Sequence, residues 1–136
     1  MLRPPADRNS VVVKPADTGE ISAIMAYAVK NKIPVVVRGG GTGLCGGAVP
    51  VVESIVLCME RMNRVLEIDS ANMMATVEAG VTLAGLLEAL EEYPGIGCPV
   101  HPGDEGCQMG GMAGTNAGGA RAVRHGITRN QVKGLE

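Results

Sequence analysis

The stretch Val35-Val36-Val37-Arg38-Gly39-Gly40-Gly41-Thr42-Gly43-Leu44-Cys45-Gly46-Gly47 decides the fold. Three consecutive valines read as a strand buried on both faces. Six of the nine positions from 39 to 47 are glycine. Inside that run, Gly41-x-Gly43-x-x-Gly46 spells a literal GxGxxG after a strand. A Rossmann fold requires a helix to start here, so that its N-terminus faces the pyrophosphate. Instead Gly47 is followed by Ala48, Val49 and Pro50, then by a second apolar run, and no amphipathic stripe begins before Leu83. The Rossmann reading fails on that context. A P-loop fails because no GK[ST] triplet occurs.

Toward the N-terminus, Val11-Val12-Val13 predicts another doubly buried strand, ended by Pro15. Asp17-Thr-Gly-Glu20 has the form of a capping box. Behind it, Ile21, Ile24, Met25, Ala28 and Val29 make one apolar helical stripe. Lys30 and Lys32 suit the C-terminal end of that helix, and Pro34 prevents its continuation. Residues 11–37 therefore predict a βαβ unit with parallel strands and a right-handed crossover. Toward the C-terminus, Ser54–Met59 predicts a strand, and Val65–Asp69 with Met74–Glu78 predicts a hairpin turning at Ser70–Asn72. Thr82 caps a second helix with the stripe Leu83, Leu86, Leu87 and Leu90, stopped by Tyr93-Pro94-Gly95. Pro102 to Gly119 reads as loop, with a short helix over Met109–Asn116.

Composition narrows the function classes. The chain has 136 residues, 46% hydrophobic and 19% charged, which suits one globular domain. A net charge of −2 argues against nucleic acid as a partner. With two Tyr, no Phe and no Trp, the core must be aliphatic and base stacking has no platform. No apolar run is long enough to span a membrane. Residues 1–10 lack the apolar segment of a signal peptide, so a cytoplasmic location is expected. The cysteines at 45, 58, 98 and 107 form no CxxC pair and are expected to be free and apolar. Cys98-Pro-Val-His101 with Cys107 lacks the ligand spacing of a zinc site, so no metal is expected.

Charge and glycine are both unevenly spread. Between Val65 and Ala120 there is no Lys or Arg but there are eight carboxylates, and then Arg121, Arg124, Arg129 and Lys133 form a basic tail. That tail reads either as a solvated face or as counter-charge for an anion near the preceding glycines. Thirteen of the 20 glycines fall in 39–47 and 103–119. Glycine weakens regular elements, so such clusters point to close backbone approach to a ligand. Successive N–H groups without Cβ atoms can form a concave nest around an anion such as a pyrophosphate. Arg38 either adds charge there or holds the loop. If Gly41 belongs to such a nest, Gly41→Val should weaken binding more than tenfold with little loss of fold.

The order of a buried strand, RGGGTGLCGG, ATVEAGVTLAGLLEAL and GGMAGTNAGGARAVRHGITRNQVKGLE resembles one family over about residues 11–136. It is the FAD-linked oxidases and dehydrogenases of the vanillyl-alcohol oxidase and p-cresol methylhydroxylase (PCMH) fold, and within it the glycolate oxidase and D-lactate dehydrogenase type. The resemblance implies an α+β FAD-binding fold. Residues 10–60 would form a small parallel α/β subdomain. Residues 61–136 would start a second subdomain with an antiparallel sheet and helices.

The resemblance also implies the cofactor contacts. Arg38, Gly39, Gly40, Gly41, Thr42, Gly43 and Leu44, with Gly46 and Gly47 behind them, would wrap the FAD pyrophosphate. Pro102, Gly103, Cys107, Gly110, Gly111, Thr115, Asn116, Gly118 and Gly119 would lie along the flavin and ribityl chain. Thr42 stands where covalently flavinylated relatives carry His, so noncovalent FAD is expected, with a Cys107 thioether the one complication. His125-Gly126 replaces a frequent Tyr-Gly, and Met112 a frequent Asn.

Such relatives continue past the residue matching Glu136 into further strands and a substrate-binding cap. The chain thus reads as the truncated, N-terminal FAD-binding portion of an enzyme that oxidises a 2-hydroxy acid and passes electrons onward. No catalytic residue is assigned; His101 and His125 are expected to be structural. The missing C-terminal part or an electron-acceptor protein would be its partner, in the cytoplasm or at a membrane periphery through a larger complex. The rival reading is a non-catalytic nucleotide-binding module.

Overall fold

A computed structural model describes residues 6–136. Its first layer is a three-stranded parallel sheet in the order β1-β3-β2, from β1 (Val11–Val13), β2 (Val35–Arg38) and β3 (Ile55–Cys58). Helix α1 (Thr18–Asn31) links β1 to β2, and both strands pair with β3 between them. The expected capping box forms with one shift. Asp17 accepts from the Glu20 N–H at 2.8 Å, while the Glu20 carboxylate reaches past Asp17 to the Ala16 N–H at 2.7 Å.

The doubly buried expectation fails for β1 and β2, and it is β3 that is buried. Val56 is 5% exposed, whereas Val11 and Val37 are each 60% exposed. The reason is sheet order: β1 and β2 are edges, and all-valine sequence does not reveal which strand lies in the middle. The α1 stripe is likewise narrower than expected. Ile21 and Ile24 pack with Leu57, Met59 and Met62, and Ala28 is buried, but Met25 and Val29 are exposed. A helix on a small sheet buries about one residue per turn, so the flanking stripe positions stay in solvent.

The second half opens with an antiparallel pair, β4 (Val65–Asp69) and β5 (Met74–Val77), with an irregularity between Val65 and Glu67. The turn is fastened by Asp69, which accepts from the Asn72 backbone N–H at 3.0 Å and its side-chain amide at 2.7 Å. Helix α2 (Leu83–Leu90) begins at Thr82, whose hydroxyl accepts from the Gly85 N–H at 3.0 Å. Leu83, Leu86 and Leu90 are buried as the stripe requires. The helix ends three residues before Tyr93, through Glu91 and Tyr93 N–H bonds to the Glu88 and Leu90 carbonyls.

Three short helices follow: α3 (Met109–Thr115), α4 (Ala122–His125) and α5 (Thr128–Gln131). Asn116 ends α3 in the left-handed conformation at φ 51°, a role asparagine tolerates well. Its side chain accepts from the Arg129 N–H at 3.1 Å, and the Thr128 hydroxyl donates to the Ala117 carbonyl at 2.7 Å. These bonds fold α5 back on α3. Among the described residues, no helix is long and apolar enough to cross a membrane.

Candidate cofactor site

The first glycine segment leaves β2 and makes no regular element until β3. Among the described residues, no N–H group from Gly39 to Gly47 finds a protein acceptor. Bare space surrounds the points where side chains would stand at Gly43, Gly46 and Gly47. Leu44, at the tip, is 84% exposed.

The base of the loop is fixed by charge. Lys14 follows β1, Arg38 ends β2 and Glu60 follows β3, so three adjacent parallel strands deliver one charge each to the same end of the sheet. Glu60 pairs with Lys14 and lies 3.6 Å from Arg38. The hydrogen bond from Lys14 holds the Glu60 carboxyl below the ordinary range and raises the Lys14 ammonium above its own. The Arg38 guanidinium lies beneath Gly41, where a Cβ would come 2.9 Å from Nη2. Arg38 thus stands directly under the loop, its charge shared with Glu60.

The second segment spends its amides differently. Met109 N–H donates to the Val81 carbonyl and Gly110 N–H to the Ala79 carbonyl, each at 2.8 Å. Cys107, Met112, Asn116 and Ala117 also donate to backbone carbonyls. A Cβ on Gly110 would meet the Ala79 Cβ at 2.8 Å, and one on Gly119 would run into the His101 carbonyl oxygen. These two glycines permit close packing of one backbone on another. Gly103 and Gly111 face open space, and a Cβ on Gly118 would meet Ile127 at 3.4 Å. The Thr115 hydroxyl donates to the Gly111 carbonyl at 2.8 Å. Pro102 packs beside Gly119. Cys107 is buried with Leu83, Val100 and Met112, and burial raises its thiol above the usual value.

The fold brings the two segments together. A Cβ on Gly40 would strike the Gly106 carbonyl, and one on Gly39 would lie 3.4 Å from Gln108 Oε1 and 3.7 Å from Gly111 Cα. Gln108 was not singled out from sequence. The available signal was a lone amide between Cys107 and Met109, at the start of a helix with no side-chain cap. Beside it lies a cavity of about 380 Å³.

His101 bonds Glu105 at 3.0 Å through Nε2 and accepts from the Gly103 N–H at 3.3 Å through Nδ1, so it shapes its own loop. His125 is exposed at the end of α4. Arg121, Arg124 and Arg129 are exposed and make no ion pair among the described residues. All four cysteines are free, and among the described residues no three potential metal-ligating side chains converge. Glu78 was also missed by the sequence reading. It is buried and takes three bonds from Arg64: the backbone N–H at 2.8 Å, Nε at 3.0 Å and Nη2 at 2.6 Å. Those bonds pull its carboxyl below the ordinary range. The Ala79–Val81 turn that receives α3 follows directly.

Unspent amides over a cationic base, with open space at three glycines, fit a diphosphate-bearing cofactor. The FAD binding domain family matches residues 9–136. The D-lactate dehydrogenase of Archaeoglobus fulgidus is 50% identical over 136 residues, covering 100% of this chain and 30% of that protein. The glycolate oxidase subunit GlcD of Bacillus subtilis is 40% identical over 126 residues, covering 92% of this chain and 27% of that protein. A solved alkyldihydroxyacetonephosphate synthase structure superposes with a TM-score of 0.77 at 24% identity, over 88% of this chain and 22% of that one; it speaks for the fold. The chain thus spans about 30% of the length of the curated relatives it matches. By sequence and by fold, the chain belongs to the FAD binding domain family of PCMH-type flavin-linked oxidoreductases, and its cofactor is FAD.

Proposed function

We propose that this chain is the FAD-binding part of an enzyme that oxidises a 2-hydroxy acid of the D-lactate or glycolate class, and that it holds FAD noncovalently. The observation that carries the substrate class is the 50% identity with a D-lactate dehydrogenase along the whole chain. In this reading the N–H groups of Gly39 to Gly43, with Leu44, Gly46 and Gly47, cradle the diphosphate over Arg38. Gly111, Gly118 and Gly119 offer N–H groups along the rest of the cofactor, and Pro102 and Gly103 leave it room. Cys107, Gly110, Thr115 and Asn116 shape that wall from behind. FAD supplies the redox chemistry, taking two electrons from the substrate.

The chain's part is to bind and orient. The chain spans about 30% of the D-lactate dehydrogenase it matches, and in this reading substrate binding and proton abstraction fall to the part of such an enzyme that it does not span. In the same reading an electron-acceptor protein takes the electrons onward, and the flavoprotein is cytoplasmic or held at the membrane periphery through a larger complex.

A chimera tests whether the chain serves as the FAD-binding part of such an enzyme. Residues 1–136 are joined to the part of the Archaeoglobus fulgidus D-lactate dehydrogenase that follows the matched segment. D-lactate or glycolate should bleach its flavin anaerobically; a chimera that binds FAD yet is bleached by no 2-hydroxy acid contradicts the proposal. Attachment is tested separately by acid precipitation. FAD should stay in the supernatant, because Thr42 offers no nucleophilic nitrogen and the Cys107 thiol is buried and protonated. Yellow fluorescence retained in the pellet would show a covalent bond.

A further inference from the structure

We propose that Gln108 is a binding residue for FAD, whose side-chain carbonyl accepts a hydrogen bond from a sugar-type hydroxyl of the cofactor. Gln108 is 6% exposed, and its Oε1 has no hydrogen-bond partner among the described residues. A buried acceptor without a donor is costly, and native proteins leave few of them. The chain leaves it without one. Of the polar groups lining the adjoining cavity, Glu60 is an acceptor already engaged by Lys14 and Arg38, while the Asn63 amide and the Thr82 hydroxyl, which accepts from the Gly85 N–H, still carry donors but make no bond to Oε1.

Position identifies the donor. Oε1 lies against Gly39, the opening residue of the diphosphate loop. A diphosphate carries acceptors only. The groups joined to it on either side in FAD are the adenosine ribose and the ribityl chain, both of which carry hydroxyl donors. Gln108 therefore links the two glycine segments through the cofactor. The assignment rests on the FAD reading above.

Opposite signs in two measurements test it. Gln108→Met keeps the length of the side chain and removes its polar atoms. The unliganded variant should melt about 3 °C higher than wild type, because an unpaired buried acceptor is gone. Its FAD dissociation constant, followed by flavin fluorescence, should rise about tenfold. Titration with ADP and with FMN then locates the hydroxyl. Weakened ADP binding assigns the ribose, and weakened FMN binding with ADP unchanged assigns the ribityl chain; either result supports the proposal. FAD affinity within twofold of wild type overturns it, since Oε1 is then served by water. A lower melting temperature with a matching loss of FAD binding also overturns it, since Gln108 then only holds the fold. Gln108→Leu must give the same signs, and it decides the matter if the Met variant does not fold. Wild-type protein that takes up no FAD contradicts the underlying reading instead, a result separable from loss confined to the variants.

Discussion

The two glycine-rich segments share a composition and differ in where their amides go. From Gly39 to Gly47, no N–H group has a protein acceptor among the described residues, and three glycines border open space. From Gly103 to Gly119, most N–H groups are already bonded, and Gly110 and Gly119 exist because another backbone lies where a side chain would be. Glycine density alone therefore has two physical meanings. One segment is open to a ligand. The other is packed against its own chain, and Gly40, seated on the Gly106 carbonyl, belongs with the packed positions although it lies in the loop.

That division can be broken by substitution. Gly40→Ala, despite its place in the first segment, should behave as a packing mutation and cost about 3 kcal/mol in urea unfolding, because the obstructing atom is backbone. Wild-type stability in that variant would erase the distinction.

Acid should loosen the second segment first. Its helix α3 bonds to the Ala79–Val81 turn beside Glu78, whose carboxyl lies below the ordinary range through its bonds to Arg64. A depressed folded-state pKa gives stability that is present above the unfolded carboxylate value of about 4.3 and is lost as pH falls through the folded one. The protection of amides in 107–117 against exchange, relative to the unfolded chain at the same pH, should therefore fall at acid pH, and Glu78→Gln should flatten that dependence. Unchanged acid dependence in Glu78→Gln would remove the carboxylate from the explanation.

Thiol labelling offers the mildest test. Cys45 is exposed in the open loop, while Cys58 and Cys107 are buried. Iodoacetamide should modify Cys45 alone among these three, and saturating FAD should slow it severalfold. Equal rates with and without FAD would place the cofactor away from the loop tip.

The sequence carried the local rules well and the long-range ones poorly. Asp17 and Thr82 announced both longer helices, because a cap is a bond between residues three apart. The hairpin was legible from its alternation and polar turn. Burial of Val11 and Val37 was not, because edge or centre depends on β3 inserting between β1 and β2. Helices α4 and α5 had no periodic signal at four residues each. The glycine clusters were visible as candidate ligand contacts. Their division into open and packed positions needed the partners at Gly106, Ala79 and His101, which lie far off in sequence. The same applies to Gly41. It looked like the natural position to substitute, yet its φ of +73° and the Arg38 guanidinium beneath it mean that valine there would disturb the fold as well as any ligand.

Gly43 is free of both complications: nothing lies within 4 Å of its missing side chain, and its backbone is outside the left-handed region. The most direct measurement is therefore FAD titration of Gly43→Val alongside its melting temperature. The expected result is wild-type stability with a dissociation constant raised at least about tenfold, a loss of roughly 1.4 kcal/mol. A stable Gly43→Val protein that binds FAD as tightly as wild type would contradict the assignment of the open segment to the cofactor.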